Sequence, residues 1–263
     1  MNRQPAVAGT FYPANPLQLQ QLVDRMLETA ETESDSTSVP KAIIAPHAGL
    51  IYSGEIAATA YARLIPARKT INRVVLMGPS HRIAFYGLAV SAADTFITPL
   101  GKVPVDVETV NKIARLPFVE YIEQAHQDEH CLEVQLPFLQ TVLDSFSIVP
   151  IVAGEASPEQ ISTVLEMLWG GPETLIVISS DLSHYHDYLT AKKKDLETSK
   201  LIEALQYEAL NYDSACGRVP VSGLLELARK KSLRVKTIDL RNSGDTAGDK
   251  SRVVGYGAYI IEP

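Results

Sequence analysis

The chain has 263 residues, enough to bury one full-sized core, and a single domain over residues 1–263 is expected. Apolar side chains make up 46% and charged ones 21%, a balance that excludes a disordered chain. The net charge of -7 argues against a dedicated nucleic-acid binder, and the basic runs Lys192-Lys193-Lys194 and Arg229-Lys230-Lys231 read as solvated faces of helical patterns.

In chain order, the first dozen residues are Gly/Pro-punctuated coil, and residues 1–16 hold no apolar core of signal-peptide length. No later run approaches the roughly 18 apolar residues of a membrane span. The two cysteines, Cys131 and Cys216, make no disulfide framework, so a cytoplasmic protein with reduced thiols and no membrane partner is expected. Asn15 then Pro16 reads as a cap and first turn, opening an amphipathic helix to about residue 31. Polar residues 32–38 form a short linker. The apolar runs 42–45, 74–77 and 175–178 lack polar alternation, as strands covered on both faces do. Helical patterns follow at 53–64 and 189–205. A further strand at 146–152 precedes a helix at 157–169, with Ser157 as cap and Pro158 in its first turn.

Between the second and third apolar runs lies an insertion. It holds short strands at 87–91 and 96–98, a short helix from Pro104, and a longer helix from Asp128 or Glu129 that Pro137 kinks or interrupts. A helix over 219–230 and strands at 233–240 and 253–261 complete the chain. Residues 241–252 join those strands as a closing or binding loop, or as a plain hairpin connection. The alternation of strand and helix predicts an α/β fold, a three-layer sandwich around a mostly parallel or mixed sheet.

Each of the three apolar runs is followed by a histidine: His47, His81 and His184. Ligands of open α/β sheets bind beyond the carboxyl ends of the strands, so three of the chain's six histidines fall where a site is expected. Neutral imidazoles suit transition metals. Asp181, three residues before His184, is open to three roles: orienting a histidine, binding metal or capping a turn. His186 reads as exposed, and His126 takes no role. If residues 128–133 begin a helix, Glu129 and Glu133 share one face with His130 beside them, and that face can meet the site. Cys216 stands just before a helix and next to Arg218, where its thiolate would be stabilised; nucleophile, soft ligand and inert buried thiol all remain open. Cys131 reads as packing. There is no GxGxxG after a strand, no Walker loop, no GxSxG elbow, no HExxH and no CxxC.

These segments together resemble the Memo family: AGTFYP at 8–13, APHAG at 45–49 with Tyr52-Ser53-Gly54, LMGPSH at 76–81, DEHCLEVQLPFL at 128–139, SSDLSHY at 179–185, ACGRVP at 215–220 and NSGDTAGDKSRVVGYGA at 242–258. The resemblance runs nearly end to end. Prokaryotic members are known as protein B of the AmmeMemoRadiSam system, which implies association with an AMMECR1-domain protein and a radical-SAM protein. It implies a fold related to class III extradiol dioxygenases and one iron or copper ion held by His47, His81 and Cys216. His184 then matches the place of an acid/base histidine, tuned by Asp181. Glu129, His130, Glu133 and Tyr52 are expected around the metal site or its substrate. Dioxygenases complete their metal site with a carboxylate where this chain has Cys216, so ring cleavage does not carry over. What the resemblance leaves is a metal-dependent oxidoreductase of unknown substrate, a metal-handling protein, or a module that binds a peptide or small molecule. Eukaryotic relatives are linked to motility signalling through a receptor phosphopeptide, to copper-dependent oxidant production and to iron handling.

Overall fold

The computed structural model describes residues 1–32 and 38–262, so the linker expected at 32–38 lies mostly outside the described residues. In chain order the elements are β1 (Asn2–Arg3), α1 (Pro16–Thr32), β2 (Ala42–Ala45), α2 (Leu50–Ala62), β3 (Arg73–Pro79), β4 (Leu88–Val90), β5 (Thr95–Thr98), β6 (Gly101–Pro104), α3 (Val107–Ile113), β7 (Val119–Tyr121) and α4 (Glu123–Gln127). After these come α5 (Leu136–Val142), β8 (Ser147–Ala153), α6 (Pro158–Met167), β9 (Thr174–Ser179), β10 (His184–His186), α7 (Tyr188–Glu203), α8 (Arg218–Lys230), β11 (Arg234–Asn242) and β12 (Val253–Glu262).

The main sheet runs β10-β12-β2-β9-β3-β8-β4-β7, with β11 also paired to β12. Its centre is parallel: β2 with β9, β9 with β3, and β3 with β8. The pairings of β12 with β2 and of β4 with β8 are antiparallel, which makes the sheet mixed. Every residue of β2 and β9 is buried, as expected of unalternating apolar runs with both faces covered. Helices α1, α2 and α5 pack together on one side, and α6 packs on α8 on the other, giving an α/β three-layer sandwich. Strands β1, β5 and β6 form a separate small sheet.

Two helices expected in the insertion differ from the sequence expectation. The short helix begins at Val107 rather than near Pro104, because Asp106 caps it by accepting the Thr109 amide at 3.0 Å, while Pro104 ends β6. The single helix expected from residue 128 is instead irregular backbone, a 3-10 turn at Glu133–Gln135, and then α5. Pro137 explains the break: its ring would clash with the carbonyl of Glu133 in a continuous helix, whereas in the first turn of α5 its missing N–H costs nothing. The Glu129 carboxylate reinforces it by accepting the amides of His130 and Cys131 at 2.9 and 3.0 Å, in competition with a helical ladder.

His126, 2% exposed, is part of this packing. Its Nε2 donates to the Ala89 carbonyl at 3.1 Å, and burial pulls the ring down from the ordinary 6.5 to about 4. The unfolded chain therefore takes up a proton at higher pH than the folded one. The stability conferred by the neutral ring is complete above about pH 6.5 and drains as pH falls towards 4, by about 3 kcal/mol in all. Urea midpoints measured from pH 7.5 to 4.5 should fall less steeply for His126→Gln than for the unaltered chain. Parallel profiles would show that His126 does not carry this acid sensitivity.

Candidate metal centre

The topology converges the site. Strand β9 lies between β2 and β3, all three parallel, so the turns that leave their carboxyl ends emerge side by side. His47 follows β2, His81 follows β3, and Asp181 follows β9 between them. Cys216 arrives from the turn before α8. That turn lies hard against β9: Gly217 donates its amide to Ser180 Oγ at 3.0 Å, and a Cβ on Gly217 would fall 2.5 Å from the Ser180 Cβ. Only glycine permits this approach. The Asp181 amide donates to Cys216 Sγ at 3.3 Å.

The hydrogen bonds fix which nitrogen each histidine offers. Ser179 Oγ donates its proton to the Cys131 carbonyl at 2.6 Å and accepts from Gln135 Nε2 at 2.8 Å. Its contact with His47 Nδ1 at 2.7 Å must then be a second acceptance, so Nδ1 carries the ring proton and Nε2 presents a lone pair. Gln135 is itself oriented, its Oε1 accepting from Tyr61 at 2.6 Å and its Nε2 also donating to the Pro46 carbonyl at 2.9 Å. On the other ring, Glu129 Oε1 lies 2.9 Å from His81 Nδ1, and Oε2 accepts the His81 amide at 2.6 Å. Burial opposes ionisation of Glu129, but the His81 ring and the amides it collects outweigh this and hold the carboxyl near about 2. An ionised carboxylate can only accept, so His81 also donates from Nδ1 and frees Nε2.

Ligand atoms of His47, His81 and Cys216 all lie within 4.8 Å of one another. Metal–nitrogen and metal–sulfur bonds of about 2.0 and 2.3 Å at a tetrahedral angle separate N and S by roughly 3.5 Å. Cys216 Sγ and His47 Nε2 are 3.3 Å apart, so the residues fit an ion. Burial of His47 holds its ring neutral and able to bind. A second group, His81, Glu129 and His130, is equally close, and the His81 and His130 rings stack at 4.7 Å. Burial also lowers His130, to about 4.

The half-buried Cys216 thiol is pushed well above its ordinary range, by burial first and the Asp181 carboxylate second, despite the helix start and Arg218 beside it. The thiolate therefore needs a bound cation beside it. Asp181, 5% exposed, accepts the His47 amide at 2.7 Å, and burial raises its carboxyl.

A family model described as Memo-like protein matches residues 3–260. The chain belongs to the Memo family. A MEMO1 family protein from Aquifex aeolicus is 40% identical over 271 residues, covering 98% of each chain. One from Methanosarcina barkeri is 37% identical, covering 99% of this chain and 100% of its own. One from Metallosphaera sedula is 35% identical, covering 97% and 98%. A crystal structure of an uncharacterised Escherichia coli K12 protein is similar at 11% identity and a TM-score of 0.49, covering 85% of this chain and 100% of that one.

In this Memo-family chain a cavity of about 590 Å³ stands over the centre, with His47, His81, His130, Asp181 and His184 among its lining. Tyr52 stands at its rim, 39% exposed. The 241–252 segment walls it through Ser243, Gly248, Asp249 and Arg252, and Thr246 ties that wall to α2 by donating to the Tyr52 carbonyl at 2.9 Å. Glu133 is the expectation the structure corrects. It is fully buried and turned away, accepting the Ala6 and Val7 amides and the Tyr12 hydroxyl and pairing with Arg3. His186 is absent from the cavity wall. Sequence reasoning missed Ser179 and Gln135, although both stand inside the SSDLSHY and DEHCLEVQLPFL segments, and also Tyr256, which is buried in the cavity wall.

Proposed function

We propose that the chain holds one iron or copper ion between His47, His81 and Cys216 and acts as a metal-dependent oxidoreductase on a small molecule, within a shell of the class III extradiol dioxygenase type. The observation that carries the reading is the donor set: two histidines whose Nδ1 atoms are held by Ser179 and Glu129, each with a ligand nitrogen within 4.8 Å of one thiol. Ligating histidines are held in this way through their other nitrogen. A bound ion supplies redox and Lewis-acid chemistry, and the thiolate ligand favours copper or reduced iron. Of the chain's own groups, Asp181 and His184 line the same cavity and are placed to hold or pass a proton at a bound substrate. A reducing, cytoplasmic setting goes with this reading, because an oxidised Cys216 loses its ligand function.

The test is elemental analysis of protein purified without oxygen, beside His47→Ala and Cys216→Ser. About one iron or copper per chain, lost in both variants, is the expected result. A chain that takes up neither ferrous nor cuprous ion overturns the reading. Retained metal without oxygen consumption or product would mark a metal-handling protein instead. A second reading, a peptide-binding module using the same cavity, is favoured by its rim, where Ile51 and Tyr185 are 66% and 65% exposed.

A further inference from the structure

His81 lines two cavities. The aromatic cavity described above touches His47 and His81. A second, of about 360 Å³, opens between the segment after β3, the end of β8 and the start of α8, and it touches His81 and Cys216 but not His47. The centre is thus reached from two sides, and the two sides differ in chemistry. The first is walled by Phe11, Tyr52, Tyr185 and Tyr256. The second carries two guanidinium groups, Arg82 and Arg218, against one carboxylate, Glu155.

Arg218 is the informative residue. Its side chain is 20% exposed, and its guanidinium carbon lies 3.6 Å from the centre of the Tyr212 ring. Its Nε is buried and has no hydrogen-bond partner among the described residues. Glu155 approaches its terminal nitrogen only to 3.5 Å, and that carboxylate is 55% exposed and already accepts the Tyr212 hydroxyl at 2.7 Å. Arg82 donates Nε to the Asp128 carbonyl at 3.1 Å and has no carboxylate partner among the described residues. Two guanidinium groups against one carboxylate leave the cavity an excess of positive charge, and the ligand that matches it best is a planar or tetrahedral oxyanion.

We propose that this second cavity is an oxyanion site, admitting a small molecule with one carboxylate or phosphate group to the Cys216 side of the centre. Arg218 grips the anion and Arg82 draws it in. The larger partner occupies the aromatic cavity, so two reactants meet across His81, with Cys216 on the anion side. That meeting rests on the oxidoreductase reading; the anion site itself does not.

The test uses reduced, metal-free protein and the thiol as reporter. Cys131 is fully buried, so the half-buried Cys216 is the reactive thiol. Its modification is timed with a sulfonate-bearing and a trimethylammonium-bearing methanethiosulfonate, and the ratio of rates cancels the thiol's own ionisation. The anionic reagent is expected to react about tenfold faster, as charge focusing in a cleft allows. Acetate or phosphate should protect the thiol, and the better protector identifies the class of anion. Arg218→Gln should bring the ratio towards one and abolish protection. Arg82→Gln, at an exposed position, should reduce the ratio partway. Equal rates, a faster cationic reagent or no protection by either anion in the unaltered chain overturns the proposal. Ferrous and cuprous binding, measured on the same samples, separates the two ideas: metal uptake without charge preference sinks only the anion site, and charge preference without uptake sinks only the metal centre.

Discussion

Glu129→Gln is expected to weaken metal binding by about 10- to 100-fold, although the residue touches the centre only through His81. The carboxylate accepts four donors at once: the His81 ring, the His81 amide and the amides of His130 and Cys131. Glutamine keeps the shape but replaces one acceptor oxygen with an NH2, which must then face an N–H. Relief comes from moving the His81 proton to Nε2, the nitrogen needed for the ion, or from rotating the ring away. Leaving a buried donor unpaired should also lower stability by about 1–3 kcal/mol. Competition with a chromogenic chelator under anaerobic conditions reads the affinity, and a urea midpoint reads the stability. Unchanged affinity beside a lowered midpoint would confine Glu129 to holding the 128–132 backbone. Ser179→Ala should act in the same direction through His47, whose Nδ1 would lose its acceptor.

The histidines of this centre were legible because each follows a recognisable apolar strand, and a turn leaving a parallel strand has one place to go. The strand order was not legible. That β9 enters between β2 and β3, and so sets Asp181 between the two histidines, depends on pairings between segments more than 90 residues apart. Cys216 was one of three open possibilities on its residues alone, and the family resemblance singled it out. Its placement comes from Gly217 pressing on Ser180, a contact with no local signature. The short strands β6 (GKVP) and β7 (VEY) carry too few residues to show a period, and the sequence reading passed over both. The proton positions on His47 and His81 emerge only from counting donors and acceptors across partners distant in sequence.

The pair Glu129 and Glu133 shows what one wrong element costs, and it yields the largest expected loss of stability. On a helix the two would share a face; with Pro137 breaking that helix they point to different neighbourhoods. Glu133 is fully buried, and it binds the Ala6 amide at 2.7 Å, the Val7 amide at 3.0 Å, the Tyr12 hydroxyl and the Arg3 guanidinium. Arg3 is itself 6% exposed and donates on to the carbonyls of His126 and Glu129. Glu133→Gln leaves that guanidinium buried without its counter-charge and puts an NH2 among donors, so about 3–5 kcal/mol of stability should be lost. Arg3→Met should cost less, because Glu133 keeps two amides and a hydroxyl. The double variant should cost less than the sum, since each single change strands the other charge. Urea midpoints of the four chains measure this directly. Iron or copper per folded chain should stay near the unaltered value in Glu133→Gln, in contrast to Glu129→Gln. Metal loss there at temperatures where the chain is folded would mean that Arg3, through the Glu129 carbonyl, transmits the damage to His81.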